Sequence, residues 1–275
     1  MTRRIAALHH WAVCLGAGLL LSTVAQAGCS RVITVPVSAT GQSVITEGDA
    51  ITGIYPDLLR SLSNKEACNF ALTAVPRARQ ENLFETGRAD LLIPATRTPK
   101  RDRNGTFVAL IRNRPMLISL QSARPAIATF QELQERTDLK LVLVRGFDYG
   151  QTYQQLAGFL GRQGRLILEV DAVSVARLLK SGAADYTIMT PSILAGALKD
   201  DERVRDLQDK LRIESLEELP WGDSGVYISN RSLSPADKSA LQDALERAAK
   251  SGAVWKGFQR YYAPAILKGS IRPLQ

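Results

Sequence analysis

The sequence predicts an α/β protein of two lobes, each a mixed sheet flanked by helices, on three observations. Apolar runs of strand length alternate with amphipathic helical segments in two successive groups. One unit is used twice: residues 83–101, LFETGRADLLIPATRTPKR, are echoed by residues 178–192, LLKSGAADYTIMTPS. Each copy runs from a leucine-bearing helix end through Gly-x-Ala-Asp and a short apolar strand to a Thr-Pro pair, and Gly87 and Gly182 lie 95 residues apart. Finally, about 248 residues follow an N-terminal leader, enough for one large domain or two ordinary ones with a buried core.

Each part of the repeated unit has a local cause. A glycine closing a helical run is the usual left-handed cap, and LLI at 91–93 and YTIM at 186–189 suit buried strands. Thr98-Pro99 and Thr190-Pro191 then supply an N-cap and an N1 residue, so each opens a helix. Small anions are held where the carboxyl end of such a strand meets a helix N-terminus, because free N–H groups and the helix dipole point there. The alternative is that any α/β protein repeats helix, glycine, strand and cap, and the matched Gly-x-Ala-Asp argues against it.

Arg3 and Arg4, an apolar run over about 11–24 and the triplet Ala25-Gln26-Ala27 make residues 1–27 a secretory signal peptide, cleaved before Gly28. The run is too short, and too interrupted by His9 and His10, for a membrane span. The rival is a lipoprotein lipidated at Cys29, against which Gln26 stands where a branched apolar residue is needed. Residues 32–37, VITVPV, read as the first strand and 38–50 as a polar loop, before a helix with Leu58, Leu59 and Leu62 on one face. Residues 70–75 form a second strand ended by Pro76, and a helix over about 79–86 leads into the first repeat copy. Residues 115–120, PMLISL, are extended and leave the first lobe. Thr129 caps a helix beginning FQELQ, 139–144 is a strand, 145–150 (RGFDYG) a loop and QTYQQLAGFLG a helix. A strand at 166–170 and a helix at 173–179 precede the second copy. The Pro220-Trp221-Gly222 turn leads to a strand at 224–229, a helix from the Ser234-Pro235 cap to Lys250 and a last helix near 254–262.

Composition removes whole classes of chemistry. His9, His10 and Cys14 all lie in the leader, so the exported chain has no histidine, which excludes a Ser-His-Asp or Cys-His nucleophile and a His-ligated zinc site. No metal or cofactor is expected. Cys29 and Cys68 read as one disulfide in an exported chain, the alternative being two unpaired thiols. Behind the leader the formal charge is +6, with the basic residues scattered rather than gathered into a stripe, so no nucleic-acid partner is expected.

The segments around Gly53 to Leu58, Leu83 to Asp90, Thr96-Arg97-Thr98-Pro99-Lys100-Arg101, Gly182 to Asp185 and the closing LSPADKSALQDALERAAKSGAVWKGFQRYY resemble the extracellular solute-binding proteins of family 3. These are the bacterial periplasmic proteins that serve polar amino-acid ABC transporters. The resemblance covers nearly the whole chain behind the leader, and Thr-x-Thr-Pro-x-Arg is its most specific part. It implies the type II periplasmic-binding-protein fold, two lobes joined by two hinge crossings near 113–124 and 219–228. Lobe 1 would comprise 28–118 and 223–264, lobe 2 residues 119–222, with a C-terminal tail at 265–275.

The resemblance also implies roles. Arg101 matches the arginine that pairs with the ligand's α-carboxylate, a role its planar guanidinium suits by bidentate pairing, and Thr96 matches a hydroxyl position that touches the ligand. Two positions depart from the family pattern: Thr190 stands where an acid usually meets the ligand's ammonium group, and Arg77 stands where an aromatic platform is common. With Arg79 and Arg97 nearby, the first lobe presents several guanidinium groups that favour a ligand with more than one negative group. The alternative is that Arg77, Arg79 and Arg97 are solvated or paired with Glu81, Glu85 and Asp102. Phe147, Asp148 and Tyr149 occupy a strand-to-helix loop that would face the cleft, with Asp148 either replacing the missing amine anchor or capping its helix, and Trp221 lies near a hinge.

The function so implied is capture of a small carboxylated solute, an amino acid or related organic acid, in the periplasm by a monomer. Delivery to an inner-membrane ABC permease or a sensor would follow. The alternatives are a dehydratase-like periplasmic enzyme on the same scaffold, with Asp148 and Asp223 as candidate groups, and an orphan ligand-sensing protein without transport.

Overall fold

In the computed structural model the described residues are 28–274, so the signal peptide expected over 1–27 lies outside them. The first lobe opens with β1 (Ile33–Val37). The stretch behind it, expected as a polar loop, folds into a hairpin, β2 (Ile45–Glu47) and β3 (Ala50–Thr52), before α1 (Ile54–Glu66) buries Leu58, Leu59 and Leu62. β4 (Phe70–Ala74) pairs parallel with β1, Ile33 opposite Phe70 and Val37 opposite Ala74. The Cys29–Cys68 disulfide spans a sequence separation of 39 and ties the two strand starts together. By loop entropy alone such a link stabilises the fold by about 4 kcal/mol. α2 (Arg77–Glu85) begins directly after Pro76, and β5 (Leu91–Thr96), the one-turn α3 (Pro99–Asp102) and β6 (Gly105–Asn113) complete this part.

The chain changes sheet at Arg114-Pro115. The second lobe then contains β7 (Met116–Leu120), α4 (Phe130–Glu135), β8 (Leu141–Val144), α5 (Gln151–Arg162), β9 (Leu166–Glu169) and α6 (Ala172–Ser181). It ends with β10 (Tyr186–Met189), α7 (Pro191–Asp200), a 3₁₀ turn and β11 (Leu211–Glu214), a strand absent from the sequence expectation. The sheet order is β11-β7-β10-β8-β9, with β10, β8 and β9 parallel. β8 shows why its sequence is LVLV: Leu141 and Leu143 pack with Leu156 and Leu160 of α5, and Val142 and Val144 with Val175 and Leu179 of α6. A strand covered on both faces needs apolar residues at every position.

The return strand β12 (Gly222–Ser229) runs antiparallel between β5 and β6. α8 (Pro235–Lys250) and α9 (Ala253–Tyr261) cover this sheet, with Leu241, Leu245 and Phe258 packed in one core with Ile33, Leu59, Leu91, Ile111 and Val226. The short α10 (Pro264–Leu267) and β13 (Ile271–Arg272) finish the chain, and β13 pairs with β6, which places the tail on the first lobe.

The repeated unit has the same mechanics in both lobes up to its last residues. Gly87 and Gly182 both adopt the left-handed conformation, φ 71 and φ 72, as helix caps. In the first copy the amide of Asp90 donates to the Thr34 carbonyl while its carboxylate accepts from Thr34 N at 2.7 Å. In the second copy Asp185 does the same with Lys140, whose amide donates to it at 2.9 Å. Each aspartate also pairs with an arginine, Asp90 with Arg31 at 2.7 Å and Asp185 with Arg124 at 2.6 Å. The duplicated aspartate thus stitches the start of its strand to a neighbour, at the sheet end away from the cleft. The Thr-Pro ends differ. Thr98 Oγ1 accepts from Arg101 N as a true cap, whereas Thr190 makes no side-chain cap bond, contrary to the expectation that both threonines act alike.

Burial pushes the Asp90 carboxyl upward, but hydrogen bonds from Arg31, Ser232 and Thr34 outweigh it and hold its pKa below the usual carboxylate range. That stability is present above the ordinary carboxylate pKa and is lost as pH falls through the depressed value. Asp90→Asn should lower the unfolding free energy by about 2 kcal/mol at neutral pH, the half-exposed Arg31 keeping the loss modest, and by much less near pH 3 in urea titrations.

Candidate functional site

Two arginines meet one carboxylate where the first lobe faces the second. Thr98 caps the turn after β5 and directs Arg101 inward, and Arg77 starts α2. Their relative exposures are 2% for Arg101 and 5% for Arg77. Glu81, one turn along α2, lies between them. Arg101 donates from Nη2 to Glu81 Oε1 at 2.7 Å and from Nε to Oε2 at 3.2 Å, while Arg77 Nη2 donates to Oε1 at 2.6 Å. This fork is the geometry by which a guanidinium binds any carboxylate.

The remaining donors fix the pair in place. Arg101 Nη1 donates to the carbonyls of Thr96 at 2.8 Å and, across the cleft, of Asp148 at 3.2 Å. Arg77 Nη1 donates to Pro94 O at 2.9 Å and to Gln80 Oε1 at 3.1 Å. Gln80 is wholly buried and donates to the carbonyls of Pro36 and Ile93, both at 2.9 Å, so it nails α2 to β1 and β5. Burial opposes ionisation of all three charged groups. For Glu81 the two guanidiniums outweigh burial and hold its pKa below the usual range, and the Glu81 carboxylate likewise raises that of Arg101. For Arg77 burial wins, with Arg101 adding to it, and its pKa is lowered.

The second lobe closes over this trio with the 145–150 loop. Phe147 lies with its ring centroid 6.0 Å from the Arg77 guanidinium carbon and meets Tyr149 edge-on at 6.2 Å. Tyr149 in turn packs edge-on against Tyr153 at 5.2 Å. Burial pushes the Tyr149 hydroxyl up to about 12, against hydrogen bonding to Thr190. The Asp148 carboxylate turns back on its own loop, accepting from Gly150 N at 2.9 Å. On the other side of the cleft Gln42 Nε2 donates to Asp200 at 2.7 Å. Asn113, at the sheet change, points Nδ2 at Thr190 Oγ1 across 3.4 Å.

Glycines permit this closeness. A Cβ on Gly196 of α7 would stand 2.5 Å from Gly41 Cα, and one on Gly146 2.9 Å from Ala78 Cα. Between the lobes a groove of about 590 Å³ runs along α2 and α5, and at the arginines lies a cavity of about 50 Å³, lined among others by Arg77, Thr96, Arg101, Asn113, Phe147 and Tyr149. A second of about 40 Å³ adjoins it at Thr190. Inside them Arg77 Nε and Asn113 Oδ1 have no hydrogen-bond partner.

Of the residues singled out in the sequence, Thr96, Arg77, Arg101, Phe147, Asp148 and Tyr149 line the cavity, and Thr190 lines its neighbour. Arg97 does not line it: its side chain is 59% exposed and pairs with Asp102. Trp221 lies under Arg272 at 4.3 Å, and Asp223 pairs with Arg112 at 3.5 Å on β12. The alternative in which Arg77 pairs with Glu81 and Arg97 with Asp102 is what the structure shows, whereas the second bond of Glu81, to Arg101, and the roles of Gln80, Asn113 and the Gly41–Gly196 contact were not read from sequence. The one available signal was the Arg77-x-x-x-Glu81 spacing, which puts both on one helix face. Among the described residues no group of three or more His, Cys, Asp or Glu is placed to hold a metal ion, and no helix is long and apolar enough to cross a membrane.

No protein-family profile matches the sequence, and no curated protein matches it. Solved structures do share its shape. A histidine kinase sensor domain described as similar to periplasmic binding proteins superposes with TM-score 0.67 at 17% identity, over 88% of this chain and 98% of that one. EhuB in complex with hydroxyectoine superposes with TM-score 0.67 at 14% identity, over 87% and 92%. The amino-acid ABC transporter substrate-binding protein AbpA from Streptococcus pneumoniae, bound to L-arginine, gives 0.65 at 17% identity, over 84% and 94%. At these identities the likeness establishes the fold: two α/β lobes of the periplasmic-binding-protein kind.

Gly196→Ala tests the closeness of the lobes. Within a helix the change alone stabilises by about 1 kcal/mol, but here the added methyl meets backbone of the other lobe. The expected outcome is a larger radius of gyration in small-angle scattering with helix content unchanged.

Proposed function

We propose that the protein is a periplasmic solute-binding protein, exported by a cleavable signal peptide, that captures a small carboxylated ligand between its lobes for an ABC-type permease. One observation carries this reading: the buried donors of Arg101 and Arg77 are already folded around a carboxylate, that of Glu81. A site whose buried arginines bind one carboxylate bidentately has the charge and shape to bind another. Arg101, Arg77 and Thr96 would grip the ligand from the first lobe, and Phe147, Tyr149, Asp148 and Thr190 would contact it from the second. Contacts made to both lobes only in the closed state would drive the hinge.

The chemistry of the second lobe favours an organic acid over an ordinary amino acid. Thr190 carries no charge, and the Asp148 carboxylate is engaged by its own loop, so no free acid waits for an ammonium group. A ligand-sensing role on the same scaffold is the second reading, supported by the closure of the cleft on its own side chains. A thermal-shift screen of amino acids, dicarboxylates and other organic acids identifies the ligand, because a molecule that binds only the folded state raises the melting temperature. In calorimetry with that ligand, Arg101→Ala should weaken binding roughly 100-fold. Unchanged affinity would remove Arg101 from the site and the carboxylate with it.

A further inference from the structure

Glu81 sits where a solute's carboxylate would have to sit. It takes the Nε–Nη2 edge of Arg101 and the Nη2 of Arg77, the two guanidinium groups that also line the cavity of about 50 Å³. A solute can reach the fork of Arg101 only after Glu81 has left it.

The surroundings allow Glu81 to leave while the arginines stay. Arg77 is held by Pro94 O and by Gln80, itself anchored to two strands, and Arg101 by the Thr96 carbonyl. Glu81 has no such tie besides the two guanidiniums, and it also stands on the wall of a groove of about 590 Å³ between α2 and α5. That groove is lined by Asn82, Arg145, Gln154 and the Asp148 loop, and by Lys100 paired with Glu85, so a carboxylate turned into it has the Arg145 guanidinium and two side-chain amides as partners. A change of side-chain rotamer is of the size that ligand binding commonly brings about.

We propose that Glu81 is a built-in competitor for the ligand, so that capture exchanges one carboxylate for another on the Arg77–Arg101 pair. The proposal rests on the reading of the cleft as a carboxylate site and adds a ligand class to it. Exchange of one carboxylate for another leaves the charge on the two arginines matched as before. A monocarboxylate therefore gains little Coulomb energy, and its apparent affinity falls by the fraction of molecules in which Glu81 holds the grip. A dicarboxylate brings a second negative group to two guanidiniums that share one carboxylate, where Arg77 Nε has no partner and the one acid lining the cavity, Asp148, is turned to Gly150 N. Dicarboxylates are the preferred class.

The test uses acetate and succinate as probes on the intact protein and on Glu81→Gln, Glu81→Ala and Glu81→Gln/Arg101→Ala. The wild-type melting temperature should respond to succinate more than to acetate. Glu81→Gln should respond to acetate at a concentration about tenfold lower or less than the wild type needs, because the competitor is gone. Glu81→Ala should melt lower than wild type and recover with acetate but not with chloride at equal ionic strength, and the double variant should lose both responses. Equal acetate responses in wild type and Glu81→Gln overturn the proposal. So does a Glu81 variant that melts low without recovering, which makes Glu81 only a structural counter-ion. If a ligand from the screen depends on Arg101 while Glu81→Gln gains nothing, the carboxylate reading stands and the exchange alone fails. If nothing depends on Arg101, both fall.

Discussion

Two buried guanidinium groups side by side need an anion between them, and much of the structure follows from that constraint. At an effective dielectric near 20, two unit charges about 4 Å apart repel by about 4 kcal/mol, and burying each costs more. Glu81 removes the repulsion by accepting from both arginines. It can do so only because Gln80 holds α2 against β1 and β5, and because Thr98 caps the turn that carries Arg101. The last donor of Arg101 reaches the Asp148 carbonyl, so the same charge cluster that organises the first lobe also engages the second. A single ionic knot therefore links the interior of one lobe to the closure of two.

Away from the cleft the two lobes are built alike. The Gly-x-Ala-Asp unit performs the same task twice, a left-handed helix cap followed by an aspartate stitched to the amide of a neighbouring strand and to an arginine. At the cleft they diverge. The first copy ends in a capping threonine and a charged grip, the second in an uncharged Thr190 directed at Asn113 and Tyr149.

The elements that could be read from sequence are those whose cause is local. LVLV at β8, the caps at Thr98, Thr129 and Ser234, and the left-handed glycines of the repeat follow from period and backbone preference. The stretch 38–50 looked like a solvated loop because it is polar. Ser38, Thr40, Gln42 and Ser43 are in fact buried, because their partners are distant in sequence: Gln80 for Ser38, Tyr262 and Asp200 for Gln42. β11 and β13 were missed for a related reason, since short edge strands take their definition from β7 and β6 rather than from their own pattern. Arg97 and Arg101 lie four residues apart in one basic segment, and only the packed fold separates the outward one from the inward one.

By itself the sequence determined the two-lobed α/β plan, the absence of histidine after His10, and the presence of arginines beside a strand-to-helix turn. These are properties of composition, period and short spacing. The tertiary structure alone decided which arginines are buried, that one acid answers two of them, and how small a cavity is left at that pair. Those outcomes depend on where α2, α3 and the 145–150 loop meet, and electrostatic pairing in a cleft is a matter of distance in space, which no local pattern of residues encodes.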